Sequence, residues 1–273
     1  MPDILLERLD DPRLEVYRDL KSRRLAEDTG RFIAEGHRVV ERLLTSRYPA
    51  ESILATTRRR HLLDRLDLGN VPVFLLPEDL ASQLVGYQFH GGIMACGQRR
   101  QGPTLEELLP DAASAELVAV APRATDPDNL GGLIRLCRAF GARALILGES
   151  GVDPFSRRVL RVSMGNAFHL PILEPGDLGS LLSRLQNDFG FELAATILDE
   201  AAAPLASMCR PRRLAVLLGN EADGLDPSVV ERCDHRVLIP MSQGTDSLNV
   251  TVAAGIVLYH FTQVAGEAIS QEP

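Results

Sequence analysis

Beyond residue 115 the chain alternates short, nearly unbroken apolar runs with stretches of helical period. The runs at 117–121, 144–147, 169–173, 193–197, 214–218 and 236–239 read as strands, with helices at 129–140, 157–164 and 178–189 between them. From Ser247 a long apolar helix rich in small residues closes the chain, and the tail from Glu267 is expected to fray. Strands that are apolar throughout and alternate with helices predict a parallel sheet covered on both faces. The first hundred residues follow the same alternation on a smaller scale. Residues 1–28 read as helical, with a stop and restart at Asp11-Pro12; 31–35, 52–55, 71–76 and 92–96 read as strands, and 37–44, 58–66 and 77–84 as helices. A polar stretch with a Gly-Pro pair, residues 99–103, separates the two patterns. The prediction is an α/β protein of two domains, 1–100 and 115–273, with a linker at 101–114.

Composition narrows the setting. Apolar residues at 45% and charged ones at 24% suit a soluble globular protein. No apolar run reaches membrane-spanning length and the N-terminus lacks signal-peptide character, so a cytoplasmic protein with no membrane partner is expected. Cys96, Cys137, Cys209 and Cys233 are scattered, which argues against a disulfide framework and against a bound metal. The net charge of −8 argues against a nucleic-acid partner, but the charge is unevenly placed. Residues 1–100 carry 16 basic against 15 acidic side chains, and the remainder 13 against 22. Lys21 is the one lysine, so phosphate recognition would fall to arginine forks.

Three segments follow strands and carry candidate chemistry. Residues 126–141, DPDNLGGLIRLCRAFG, open a helix that Asp126 or Asp128 caps, with Gly131 and Gly132 allowing close approach. Leu133, Ile134, Cys137 and Phe140 share one side of it; Arg135 and Arg138 lie opposite, either as a solvated face or as a pair aimed at phosphate. Residues 217–225, LLGNEADGL, run from a strand into a glycine-bearing turn, at the sheet edge where α/β ligands bind. Residues 239–258 start at a strand end, cross a polar turn and enter the closing helix, where free backbone N–H groups, Ser247 and Asn249 form either a plain cap or a ligand site.

In this order and spacing, the three segments resemble the SpoU/TrmH family of RNA 2′-O-ribose methyltransferases, of the SPOUT class. Asn129, Gly131 and Arg135 match the family's first motif, and Gly219, Asn220, Glu221 and Gly224 its second. Ile239, Pro240, Met241, Ser247, Leu248 and Asn249 match the third, and residues 161–171 resemble a mid-domain segment. The resemblance implies a deep trefoil knot near the C-terminus and a homodimer formed through it. It implies S-adenosylmethionine gripped around Leu218, Gly219, Asn220, Ile239, Met241, Leu248 and Asn249, and no GxGxxG competes with that reading. The reaction implied is methyl transfer to a ribose 2′-hydroxyl, with the arginine at position 135 as the family's base; a guanidinium suits a clamp on the neighbouring phosphate better, and Arg135 is expected to act so, with Asn129, Glu221, Ser247 and Asn249 positioning the reactants.

The N-terminal unit, through residues 32–41 and 91–95, is similar to a substrate-binding domain related to a kink-turn-binding ribosomal protein. Arg38, Arg58, Arg59 and Arg60 are its expected contacts to RNA backbone, and Arg138, sharing the face of Arg135 in the second domain, is a further one. That added unit favours ribosomal RNA over tRNA. The alternatives are a tRNA methyltransferase, a non-catalytic RNA-binding knot protein, and a dinucleotide oxidoreductase, which the missing glycine fingerprint disfavours.

Overall fold

A computed structural model describes residues 3–18, 20, 29–110, 114–149, 151–220, 223–242 and 247–265. The chain divides into two compact units, one of residues 1–101 with 153–169, the other of 102–152 with 170–273.

The first unit is built on β1 (Ile4–Leu5), β2 (Arg31–Glu35), β3 (Ala50–Thr56), β4 (Val73–Leu76) and β5 (Ile93–Gln98), in the order β1-β4-β3-β5-β2. β5 runs antiparallel to both β2 and β3, whereas β1, β4 and β3 are parallel. Helices α1 (His37–Leu44) and α2 (Glu78–Val85) bury Val39, Val40 and Leu43, and Ala81, Leu84 and Val85. The helix expected over residues 1–28 is not what the described residues form. β1 joins the sheet, and Pro12–Tyr17 is a 3-10 turn capped by Asp11, whose carboxylate accepts the Arg13 N–H at 2.9 Å. Leu14 and Tyr17 anchor that turn in the core, and the Tyr17 and Ser52 hydroxyls share a 2.7 Å hydrogen bond. Residues 58–66, expected as a helix, form the 3-10 turn Thr57–Leu63.

Residues 153–169 complete this unit although their sequence neighbours lie in the other. The reason is aromatic: the rings of Phe155 and Phe168 each lie 5.3 Å from Phe32, and Phe155 lies 5.0 Å from Tyr48. Arg157, on the short helix Arg157–Val162, donates to the Tyr87 hydroxyl at 2.7 Å and stacks 4.6 Å from its ring centre. Arg99 pairs with Asp153 at 2.7 Å.

Among its described residues the second unit carries seven strands, all parallel: β6 (Glu116–Ala121), β7 (Ala144–Leu147), β8 (Ile172–Leu173), β9 (Glu192–Thr196), β10 (Ala203–Pro204), β11 (Arg213–Leu217) and β12 (His235–Leu238). Their order is β10-β12-β9-β11-β6-β7-β8. The expected parallel sheet is therefore present, with β8 shorter than the apolar run at 169–173. Every residue of β11 is buried, including Arg213, which donates to the carbonyls of Phe189 and Ser114 at 2.5 and 3.3 Å. Each fully buried leucine or valine of the core contributes roughly 1.5–3 kcal/mol.

The stretch expected as a linker is packed. Thr104 and Glu107 form a reciprocal capping box on α3 (Leu105–Leu108), and Leu105, Leu108 and Leu109 join the second unit's core. Residues 111–113 lie outside the described residues. α4 (Pro127–Ala139) follows β6, α5 (Leu178–Asn187) precedes β9, α6 (Pro227–Glu231) precedes β12, and α7 (Val250–Tyr259) follows β12. α7 begins three residues later than Ser247 because Asn249 caps it. From β12 the chain passes β9 and β11 in the sheet order to bring α7 against α4.

Candidate active site

Register puts the carboxyl ends of four strands at one edge. Leu217 of β11 lies level with Val120 of β6 and Ala195 of β9, and Thr196 lies level with Val237 of β12. The loops that leave this edge enclose a cavity of about 410 Å³, within the range of small-molecule sites. Residues 196–198, 218–220 and 223–225 line it, with Val237, Ile239, Met241, Ser247, Leu248, Val250 and Ala253. Leu218, Ile239, Met241 and Leu248 make its walls largely apolar.

The corner after β11 is shaped by its backbone. Leu218 N–H donates to the Val120 carbonyl at 2.8 Å, extending the ladder one residue. The chain then doubles back: Asn220 N–H donates to the Gly224 carbonyl at 3.2 Å, and Gly224 N–H to the Asn220 carbonyl at 3.1 Å. The Asn220 side-chain oxygen accepts the Asp223 N–H at 2.7 Å, so this side chain forms the turn. Gly224 sits at φ +69°, the left-handed region. Gly219 must be glycine, because a Cβ there would stand 2.7 Å from the Gly224 carbonyl carbon and 2.9 Å from the Leu225 nitrogen. Glu221 lies outside the described residues.

The corner before α7 joins two segments far apart in the chain. The Asn249 side-chain oxygen accepts the Thr251 N–H at 2.8 Å and also the Thr251 hydroxyl, while its amide nitrogen donates to the Asn129 side-chain oxygen at 3.0 Å. Asn129 stands in the first turn of α4, where the Asp126 carboxylate accepts the N–H groups of Asp128 and Asn129 at 2.8 and 2.9 Å. A Cβ on Gly132 would meet Thr251 Cγ2 at 2.6 Å, so this glycine lets α4 and α7 close on each other. A narrow cleft lined by Asn129, Leu133, Leu218, Gly219, Asn220 and Val250 borders the same corner.

Seven predicted residues thus surround one cavity: Leu218, Gly219, Asn220, Ile239, Met241, Ser247 and Leu248. Asn129 lines the adjoining cleft and bonds Asn249. Arg135 and Arg138 are exposed on α4 and line neither space. Cys137, on the buried side of α4, has its thiol pushed up to about 12 by burial and so stays neutral. In the first unit Arg38, Arg58 and Arg59 are exposed, but Arg60 is held by carboxylates, Asp3 at 2.5 Å and Asp64 at 2.7 Å.

Sequence reasoning missed three participants. Thr196 lines the cavity and donates its hydroxyl to the Leu217 carbonyl at 2.9 Å. Thr251 receives the cap, and Arg123 pairs with Asp223 at 2.7 Å, joining the loops after β6 and β11. A threonine at a strand end carries no spacing signal, and Arg123 lies 100 positions from its partner.

Comparison with known proteins bears on this geometry. Residues 116–259 match the family described as SpoU rRNA Methylase. An uncharacterized tRNA/rRNA methyltransferase of Mycobacterium tuberculosis is 36% identical over 266 residues, covering 93% of this chain and 90% of that one. The 23S rRNA (guanosine(2553)-2′-O)-methyltransferase RlmP of Bacillus subtilis is 29% identical, with 93% and 98% covered. The crystal structure of an AdoMet-bound rRNA methyltransferase from Sinorhizobium meliloti superposes with a TM-score of 0.77 at 25% identity, covering 93% of this chain and 95% of that one.

Proposed function

Because the chain belongs to the SpoU rRNA methylase family, we propose that it methylates ribose 2′-hydroxyls of ribosomal RNA, with S-adenosylmethionine as methyl donor. Its fold is accordingly the parallel-sheet α/β fold of the SPOUT methyltransferases, with their C-terminal trefoil knot. The observation that carries the reading is the meeting of three distant glycine- and asparagine-bearing segments at one cavity, tied by the Asn249–Asn129 hydrogen bond.

The cavity suits the cofactor in volume and in character. Leu218, Ile239, Met241 and Leu248 offer apolar surface to a purine face, and Gly219 and Gly224 bring main chain to the cavity wall. When bound, S-adenosylmethionine supplies a methyl group on a cationic sulfonium.

The chain's own residues hold and orient the acceptor. Arg135, exposed on α4, clamps the phosphate beside the target ribose and stabilises the oxygen as it loses its proton. The Asn129–Asn249 bond fixes the starts of α4 and α7 together, which sets the distance from Arg135 to the cavity wall. Ser247 and Glu221 position the ribose, and Arg138 adds a phosphate contact. In the first unit, Arg38, Arg58 and Arg59 dock RNA backbone; Arg60 joins them only if its carboxylates release it.

The active form is a homodimer through α7. That helix is apolar all round, yet Val252, Ile256 and Tyr259, spaced to share one face, remain 51%, 39% and 52% exposed. A second copy of this face would cover them and bring a partner close to Arg135. The protein works in the cytoplasm, where ribosomal RNA is; no helix of the described residues is long and apolar enough to cross a membrane.

Two measurements test the reading. Titration calorimetry is expected to detect S-adenosylmethionine binding, and mapping of 2′-O-methyl marks with and without the gene is expected to lose a mark from ribosomal RNA. Loss from tRNA instead would move the substrate, and absence of both binding and any lost mark would overturn the assignment.

A further inference from the structure

A second cavity, of about 460 Å³, lies within the first unit, where the end of β3 meets the start of α2 and the turn before β5. Arg58 and Arg59, on the turn after β3, and Glu78 and Asp79, in the first turn of α2, line it together. Although they share one cavity, neither arginine pairs with either carboxylate. Opposite charges left apart around a common space are complementary to a ligand that itself carries an anion at one end and N–H donors at the other.

Thr56 lines the same cavity. It is 1% exposed, and its hydroxyl oxygen has no hydrogen-bond partner. A buried hydroxyl without a partner is an unfavourable arrangement that a bound ligand can relieve. Gly92 and the Arg59 stem are its close neighbours: a Cβ on Gly92 would stand 2.9 Å from the Thr56 oxygen and 2.5 Å from Arg59 Cγ. The Arg59 stem therefore lies across Gly92, beside the hydroxyl, and its guanidinium has no ion pair among the described residues to hold it there. A swing of Arg59 toward an anion would uncover Thr56.

We propose that this cavity receives one unstacked nucleotide of the RNA substrate, with its phosphate on Arg58 and Arg59 and the N–H edge of its base on Glu78 and Asp79. Thr56 then gains a partner as Arg59 turns outward. The proposal rests on the reading of the chain as an RNA methyltransferase. Carboxylates only accept hydrogen bonds, so they select bases that present amino groups, guanine above all, and disfavour uracil, whose one ring N–H is flanked by carbonyls. Carboxylates near RNA otherwise weaken binding by repelling phosphate, which gives the test opposite signs under the two accounts.

The test uses the full chain and fluorescence anisotropy with two labelled single-stranded RNAs: an oligouridine, and the same strand with one central guanosine. The intact protein is expected to prefer the guanosine strand roughly tenfold. The E78Q/D79N double variant should lose that preference while binding oligouridine more tightly. R58Q and R59Q should weaken both strands and each lower the salt slope by about one. Equal binding of both strands by the intact protein overturns the proposal. So does an amide variant that tightens on both strands with its preference kept. Thermal melting of each variant guards against misfolding. S-adenosylmethionine titration and methyl transfer to ribosomal RNA, run on the same preparations, separate the readings: their presence without a base preference sinks the pocket alone, and their absence sinks the enzyme assignment.

Discussion

The two units hold cavities of similar volume, about 460 and 410 Å³, built by opposite means. In the first, unpaired charged side chains on a mixed sheet line an open space. In the second, glycine turns and apolar side chains at the edge of an all-parallel sheet do so. The difference matches the role proposed for each. A polymer whose charge is spread along its backbone is held by long, adjustable arginines, each adding its share. A small cofactor is held by the shape of turns whose backbone cannot give. A side-chain site should therefore fail by degrees, and a backbone-built site all at once.

Arg135 offers the largest effect and the sharpest challenge, because the proposed mechanism makes it a side-chain element serving the backbone-built site. Arg135→Ala is expected to lower kcat by about 10²–10³-fold, with cofactor affinity unchanged. Arg135→Lys should recover only part of the loss, since the charge remains without the fork. Steady-state methylation of ribosomal RNA measures both, and full turnover by the lysine variant would remove Arg135 from the reaction.

Gly219→Ala probes the turn itself. Its Cβ would stand 2.7 Å from backbone of Gly224, and overpacking of this kind costs about 1–3 kcal/mol. Calorimetry should show cofactor affinity reduced by about tenfold or more, while RNA binding by the first unit is unchanged. Normal cofactor binding by this variant would mean that the turn does not set the wall.

Ile256→Arg tests whether the site needs a second copy. A charge on the exposed apolar face of α7 should convert a dimer to a monomer in sedimentation and lower activity in parallel. A fully active monomer would confine each site to one chain. The smallest effect concerns the asparagine pair. A double-mutant cycle on Asn129→Ala and Asn249→Ala should give a coupling of about 0.5–1.5 kcal/mol. The Asn249 single variant should lose about 1 kcal/mol more than Asn129→Ala, because it also removes a helix cap. Additive effects would mean that the bond between them does not hold the corner.

Much of the second unit was legible in the sequence. Apolar runs such as 117–121 and 214–218, short and bounded by polar turns, read as strands buried on both faces, and glycines at 219 and 224 marked a turn before any partner was known. The first unit was harder to read. Residues 1–28 and 58–66 read as helical, but the turns at Pro12–Tyr17 and Thr57–Leu63 are 3-10, with Tyr17 and Leu63 buried in the core. Arg60 looked like its neighbours until Asp3 appeared beside it.

The amino-acid order alone determined which faces are apolar, where strands give way to glycine turns, and which residue types stand at each corner. These are local properties, written in periods of two to four residues. Tertiary structure alone decided that Asn249 meets Asn129 across 120 positions, that Phe155 and Phe168 join Phe32 in the first unit, and that the stretch at 104–109 is core. Such pairings follow from the shapes that remain to be filled once the elements have formed, and no short window of sequence contains both partners.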